Sequence, residues 1–288
     1  MPVQPPAEYV ASRRIGRATI SIVSEGSLVW APRLQAPEED WRREVPEADA
    51  NGKVTLGLNC AIIRIDGATL VVDPGFDDPN SSWQQRLAER WPGMVRSPGL
   101  HAELASLGIH PDEVTHVVIS HAHEDHFAGV AVERDGRLVV RFPRARHLLG
   151  RPDWDGNPLR TARDSELAAR LGTIERLGLL DLLDGEFEVV PGVVVIPAPG
   201  ETAGHTVVRV QSGDEVFYYL GDLFHLPCEV EHVDWVPARR DLESTLASRR
   251  RVIADAAANR ATLVFTHGRF PPWGRIELGG NGYRWIRA

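Results

Sequence analysis

The spacing of apolar and polar positions changes along this chain, and each change marks an element. From Leu56, the runs LGLNCAIIRIDG and ATLVVDPG read as two strands joined at Asp66-Gly67, a hairpin turn signal. Ser81 to Trp91 and Pro98 to Leu107 carry helical spacing, and Asn80-Ser81-Ser82 reads as a helix start rather than a glycosylation site. Pro111-Asp112-Glu113 opens a turn or helix ahead of a buried strand, Thr115 to Ile119, which runs directly into HAHEDH. Arg137 to Phe142 and Arg146 to Leu149 are short strands, and Asp164 to Leu180 is an amphipathic helix with Gly178 near its end. Glu186 to Val190, Val193 to Pro197, Thr206 to Gln211 and Glu215 to Leu220 are β-branched or aromatic runs separated by turn residues, which predicts consecutive antiparallel strands. A long helix, Asp241 to Asn259, and a buried strand, Ala261 to Phe265, follow, before a hairpin-like finish around Gly279-Gly280-Asn281-Gly282.

Each half therefore reads as strands first, then helix and strand. This predicts an α/β protein with two mixed sheets packed face to face and helices outside, a four-layer αββα sandwich. The first fifty residues differ, being rich in Pro, Glu and Arg around one apolar stretch, Ala18 to Val23. They read as an N-terminal arm with a strand and an irregular loop holding Trp30 and Trp41, able to cap a site or reach a second subunit. Residues 51–288 are expected to form a single catalytic domain.

Composition narrows the function classes. With 288 residues, 43% of them hydrophobic and 25% charged, the chain can bury one large core. A formal charge of -8 argues against a phosphate-neutralising face, so nucleic acid is not an expected partner. Lys53 is the only lysine, so a lysine nucleophile or Schiff base would have to be that residue. Two cysteines, Cys60 and Cys228, without CxxC spacing, point to a reducing compartment. The cytoplasm is the expected location, because MPVQPPAEYVASRRIG lacks the apolar core of a secretion signal. No run approaches the roughly 20 apolar residues of a membrane helix, so no membrane partner is expected.

The candidate chemistry lies where apolar strands end. Ile119-Ser120 precedes His121, Tyr219-Leu220-Gly221 precedes Asp222, and Phe265-Thr266 precedes His267. Loops leaving one edge of a rigid sheet can bring such distant residues together. Within HAHEDH an extended segment points His121 and His123 to one side, while Asp125 and His126 turn to a second position as the chain enters a helix. Core histidines satisfied by hydrogen bonds would explain a lone His, but not three clustered beside an Asp. Five His and two Asp, with His205 and His267 completing the set, suit two Zn²⁺ ions that share a carboxylate and keep a position for water.

HAHEDH resembles the HxHxDH signature of the metallo-β-lactamase superfamily, and Thr202-Ala203-Gly204-His205-Thr206, Gly221-Asp222 and Thr266-His267 fall in the order of its later motifs, over roughly residues 55 to 270. The resemblance implies His121, His123 and His205 on one zinc, Asp125, His126 and His267 on the other, and Asp222 bridging, with Mn, Fe or Co as other possible metals. It implies outer support of the metal site for Asp73, in Val71-Val72-Asp73-Pro74-Gly75. The stretch from GDLFH to THGRFPPWGRI looks most like the branch of methyl parathion hydrolase and related lactonases, and a homodimer through the arm follows by the same resemblance. The branch commonly has HFPFPG after the last His, where this chain has HGRFPP. Acyl-homoserine lactonases carry a tyrosine three residues after the bridging Asp, where this chain has His225. His225 is either a donor to a developing oxyanion or a solvent-facing residue.

The mechanism this implies is metal-assisted hydrolysis of a small molecule by a hydroxide that bridges two zinc ions. Asp125 would orient the nucleophile and carry its proton to the leaving group. A lactone or other carboxylic ester is the first expectation. Phosphotriester hydrolysis is the alternative, with Phe76, Trp83, Trp154 and Phe224 as possible pocket walls, and Arg269 is the candidate cation for a substrate carboxylate. A thioesterase of the glyoxalase II type is a further alternative without a glutathione-binding signal, and a non-catalytic metal-binding protein of the same fold is the last.

Overall fold

The computed structural model describes residues 8–280 and 282–288. The first sheet contains β1 (Val10–Ile15), β2 (Ala18–Trp30), β3 (Val54–Ile65), β4 (Ala68–Val72), β5 (Val95–Arg96), β6 (His116–Ile119), β9 (Arg146–Gly150) and β10 (Leu180–Leu183), with β7 (Ala131–Arg134) and β8 (Arg137–Val140) forming a separate hairpin. The second sheet takes β11 (Phe187–Val190), β12 (Val193–Pro197), β13 (Thr206–Ser212), β14 (Glu215–Tyr219), β15 (Thr262–Val264), β16 (Gly274–Gly279) and β17 (Gly282–Arg287). Apart from β5, which pairs with β2, neighbours within each sheet follow chain order.

Alternation along the strands assigns each face its layer. Leu70, Val72, Val118 and Leu148 of the first sheet meet Val208, Val210, Phe217, Tyr219 and Val264 of the second, forming the core between the sheets. The intervening residues Val71, Val117, Ile119 and Leu149 point the other way, onto α3 (Leu100–Ser106) and α6 (Glu166–Arg176). On the far side Val216, Tyr218 and Leu263 pack against Val252, Ile253 and Ala256 of α8 (Leu242–Ala258). The expected αββα sandwich is thus the observed one.

Three segments depart from the sequence reading. Residues 1–7 of the expected arm lie outside the described residues, and the remainder does not stand apart: β1 and β2 continue the first sheet, with Ile22 opposite Ala61 and Leu28 opposite Leu56. The cause is β3, which is buried along most of its length and needs backbone partners on both sides. β4 supplies one side and β2 the other. The loop after β2 forms α1 (Glu38–Glu44) and buries Trp41. The helix read as 164–180 stops at Arg176, because Gly178 adopts a left-handed φ of 69° and turns the chain into β10 beside β9. Finally, Arg137–Val140 pairs with Ala131–Arg134 across Asp135-Gly136. Among the described residues, no helix is long and apolar enough to cross a membrane.

Candidate metal centre

Parallel pairing creates the site. β4, β6 and β9 run parallel, as do β14 and β15, so each group ends at one edge of its sheet. From those ends come Asp73, the segment Ser120 to His126, Asp222 and His267, while His205 comes from the loop between β12 and β13. His123 is extended (φ -97°, ψ 148°) and precedes the one-turn helix α4 (Glu124–Phe127), which swings Asp125 and His126 away from His121 and His123 as the spacing predicts.

The donor atoms converge in two sets that share Asp222. His121 Nε2 lies 2.7 Å from His123 Nδ1 and 3.7 Å from Asp222 Oδ2. On the other side His126 Nε2 is 3.6 Å from Asp125 Oδ2 and 3.4 Å from Asp222 Oδ1. His267 Nε2 is 3.5 Å from Asp125 Oδ2 and 3.1 Å from Asp222 Oδ2. Ligands held tetrahedrally at about 2.1 Å from an ion stand roughly 3.4 Å from one another, so most of these separations fit the edges of a coordination shell. His126 Nε2 and Asp222 Oδ1 are buried without a hydrogen-bond partner. Unpaired polar atoms of this kind are costly unless something else satisfies them.

The opposite ring nitrogens are held from behind. His126 Nδ1 lies 2.8 Å from Asp73, whose carboxylate also accepts from Ser120 N–H and Ser120 Oγ–H. His205 Nδ1 contacts Ala198 O at 3.0 Å, and His267 Nδ1 contacts Gly57 O at 2.9 Å. Such contacts set the tautomer and aim Nε2 inward. His205 stands beside the cluster, its ring centroid 5.2 Å from that of His121, and its Nε2 accepts from Asp222 N–H at 3.0 Å. Gly221 permits this approach, since a Cβ there would lie 2.7 Å from His205 Nε2. Asp153 clamps the two sides of the site together, accepting from Ala122 N–H, Thr202 Oγ–H and Gly204 N–H at 2.7 to 2.8 Å.

Two residues extend the set beyond the motifs. Glu201 joins His121, His123 and Asp222 in one group of donors, and His225 joins Asp222 and His267 in another. His225 is not solvent-facing: it is buried, its ring stacks between Trp30 and His267, and its Nε2 lies 3.5 Å from Asp222. Glu229 accepts from the His225 and Leu226 N–H groups and pairs with the buried Arg249. No motif flagged Glu201, Asp153, Glu229 or Arg249; Glu201, in Pro199-Gly200-Glu201, carries only the faint signal of lying four residues before His205.

Electrostatics follow the carboxylates. Burial, together with the neighbouring His126 and His123, holds His121 well below the usual imidazole range, which makes it a neutral donor. Burial also opposes charge on His126, but Asp222, Asp125 and Asp73 overcome it and lift this histidine well above that range. For His225 burial is again outweighed, here by Asp222 and Glu229, which raise it to about 10. Asp222 is pushed well below the carboxylate range because His126 and His267 outweigh its burial. Only a deprotonated imidazole nitrogen can bind a cation, so loading a metal at His126 would release the proton that the carboxylates favour there.

A cavity of about 710 Å³ opens over the donors. Its floor holds His123, Asp125, Asp222, His225 and His267, and its walls include Trp30, Leu56, Phe76, Trp83, Leu87 and Trp91. Of the four aromatic residues expected as walls, Phe76 and Trp83 line it. Trp154 and Phe224 are instead core residues, one bonded through its indole N–H to Glu175 and the other packed under Arg249. Arg240, not Arg269, is the cation at the floor.

A family profile described as the metallo-beta-lactamase superfamily matches residues 55–267, well over half of the sequence. The chain belongs to the metallo-beta-lactamase superfamily. A probable metallo-hydrolase of Mycobacterium tuberculosis is 25% identical over 247 residues, 76% of this chain and 73% of the relative. The N-acyl homoserine lactonase AttM of Azorhizobium caulinodans is 34% identical over 85 residues, 27% of this chain and 29% of its own. Among solved structures, a probable metal-dependent hydrolase from Staphylococcus aureus superposes with a TM-score of 0.79 at 20% identity, covering 96% of this chain and 99% of that one. The dizinc quorum-quenching lactonase AidC, in complex with a product, N-hexanoyl-L-homoserine, superposes with a TM-score of 0.75 at 20% identity over 97% of both chains. The superfamily resemblance read from HAHEDH is therefore correct, and lactonases and other metal-dependent hydrolases are the structural neighbours.

Proposed function

We propose that this protein is a dinuclear metal-dependent hydrolase of small molecules, acting on lactones or related carboxylic esters, with zinc as the first-choice metal. The observation that carries this reading is Asp222, whose carboxylate lies within 3.7 Å of His121 on one side and of His126 and His267 on the other, at the floor of a cavity lined in part by aromatic and leucine side chains. His121, His123 and His205 would hold one ion, Asp125, His126 and His267 the other, and Asp222 would bridge them. A nitrogen and carboxylate donor set suits Zn²⁺, and the unpartnered His126 Nε2 and Asp222 Oδ1 are atoms an ion would satisfy. When bound, the ions supply Lewis acidity, making hydroxide available near neutral pH and polarising the oxygen of the substrate.

The chain's own groups supply the rest. Asp125 keeps 20% of its side chain exposed at the cavity floor, and it orients the nucleophile and passes its proton towards the leaving group. His225 donates a hydrogen bond to the substrate oxygen as negative charge develops, held in line by Trp30 and His267. The aromatic and leucine walls bind the apolar part of the substrate and exclude water. Lactonases among the relatives support an acylated lactone ring as the substrate. The aromatic lining favours phosphotriesters with bulky leaving groups as a second reading. Cytoplasmic residence belongs to the same proposal and accords with two buried free cysteines.

Initial rates on an acylated lactone, an aryl phosphotriester and a thioester, with metal content measured in parallel, test this reading. We expect about two divalent ions per chain, fastest turnover of the lactone, loss of activity on chelation and recovery with zinc. A protein that holds no metal, or that holds two ions and hydrolyses none of the three, defeats it.

A further inference from the structure

Glu201 presents a carboxylate to the metal centre from a loop that is fixed on every side. Gly200 N–H donates to Thr202 O, Asp241 N–H donates to Gly200 O, and a Cβ at Gly200 would lie 2.6 Å from Thr245 Cα at the start of α8. On the other side of Glu201, Asp153 holds Thr202 and Gly204. The Glu201 side chain is only 3% exposed, and Oε1 lies 3.4 Å from His123 Nδ1, the separation of two ligands on one ion. Arg240 Nη2 pairs with the same oxygen at 2.5 Å, and one donor atom from each of His121, His123, Glu201 and Asp222 lies within 4.8 Å of the others, so the carboxylate faces both its arginine and the histidines.

We infer that Glu201 is an acidic ligand of the ion held by His121 and His123, with Arg240 as its counter-cation. This rests on the dinuclear reading and deepens it. Each ion then has a carboxylate of its own, Asp125 on one and Glu201 on the other, in addition to the shared Asp222. Three anionic ligands offset two dications more fully than two do. They also harden a side otherwise built from imidazole, which improves the binding there of oxygen-preferring ions such as Mn²⁺ relative to Zn²⁺.

The test is chelator competition on the cobalt(II)-loaded full chain, following metal content and visible absorption, with folding checked by circular dichroism. Glu201→Gln should keep one ion at wild-type affinity and bind the other at least about 10-fold more weakly, with a changed cobalt band. Arg240→Met, which leaves the carboxylate in place, should keep both. If the amide variant does not fold, Glu201→Asp, with the charge kept and the reach shortened, should show the same one-site loss. Two ions at wild-type affinity and an unchanged spectrum in the Glu201 variant would overturn the inference. So would an equal loss in Arg240→Met, which would reduce Glu201 to a partner of that arginine. Wild-type protein that takes up no pair of ions would instead defeat the dinuclear reading itself.

Discussion

The floor and the walls of the cavity are built on different principles. On the floor, most imidazoles are aimed by a hydrogen bond behind them, and buried carboxylates lock the loops that carry them. The walls are held by packing: Phe76, Trp83 and Leu87 belong to an apolar cluster with Trp41, Leu56 and Trp235, bringing together segments far apart in the chain. Directional bonds fix reacting atoms to fractions of an ångström, whereas apolar contact fixes volume and tolerates exchange. Chemistry should therefore be brittle here, and substrate preference soft.

The strongest way to break that contrast is at Asp125. Asp125→Asn should lower kcat on the best substrate by roughly 10⁴-fold, the upper end for a positioned acid-base group, with metal content falling in parallel. Activity within tenfold of wild type in the zinc-reconstituted variant would show the floor to be tolerant after all.

Next in size is an effect beneath the floor, at His147 of β9, the strand beside β6. Burial pushes this imidazole down to about 4, from an ordinary 6.5. The unfolded chain therefore takes up a proton that the folded chain refuses, and stability falls as pH drops from 6.5 towards 4 and levels off below. His147 alone accounts for about 3 kcal/mol of that loss. Denaturant titrations at pH 7 and pH 4 should show His147→Leu to be less acid-sensitive than wild type by that amount, and parallel losses in the two proteins would remove the assignment.

The smallest effect belongs to the walls. Trp91→Ala, at a half-buried lining position, should raise KM for a long-acyl substrate roughly five-fold, about 1 kcal/mol of lost apolar burial, and leave kcat nearly unchanged. A fall in kcat to match would show that walls and floor are coupled.

The same contrast explains what the sequence revealed. His121, His123, Asp125 and His126 are legible because one strand end and one turn of helix place them locally, and Asp222 and His267 because each closes an apolar run. Glu201 and Asp153 are not, since each acts through partners brought near by tertiary packing, and Glu229 joins its local contacts with His225 and Leu226 to the distant Arg249. The αββα layering follows from strand periodicity, yet β2 looked like part of an arm because its partner β3 lies beyond a loop rich in Pro and Glu. The Asp135-Gly136 hairpin carries its turn signal in plain view, but both its strands are only four residues long, and Ala131–Arg134 passes for loop. Wall identity depends on which face of a packed segment meets the cavity, so Trp83 and Trp154 look alike in the sequence and part company in the fold.

Asp153 grips one loop from each sheet with a single carboxylate, and this gives the site a mechanical character. Shear of one layer over the other would stretch those bonds. The same movement would draw the donors on the two sides apart. In the proposed dinuclear enzyme, metal content would then report whether both halves are in register.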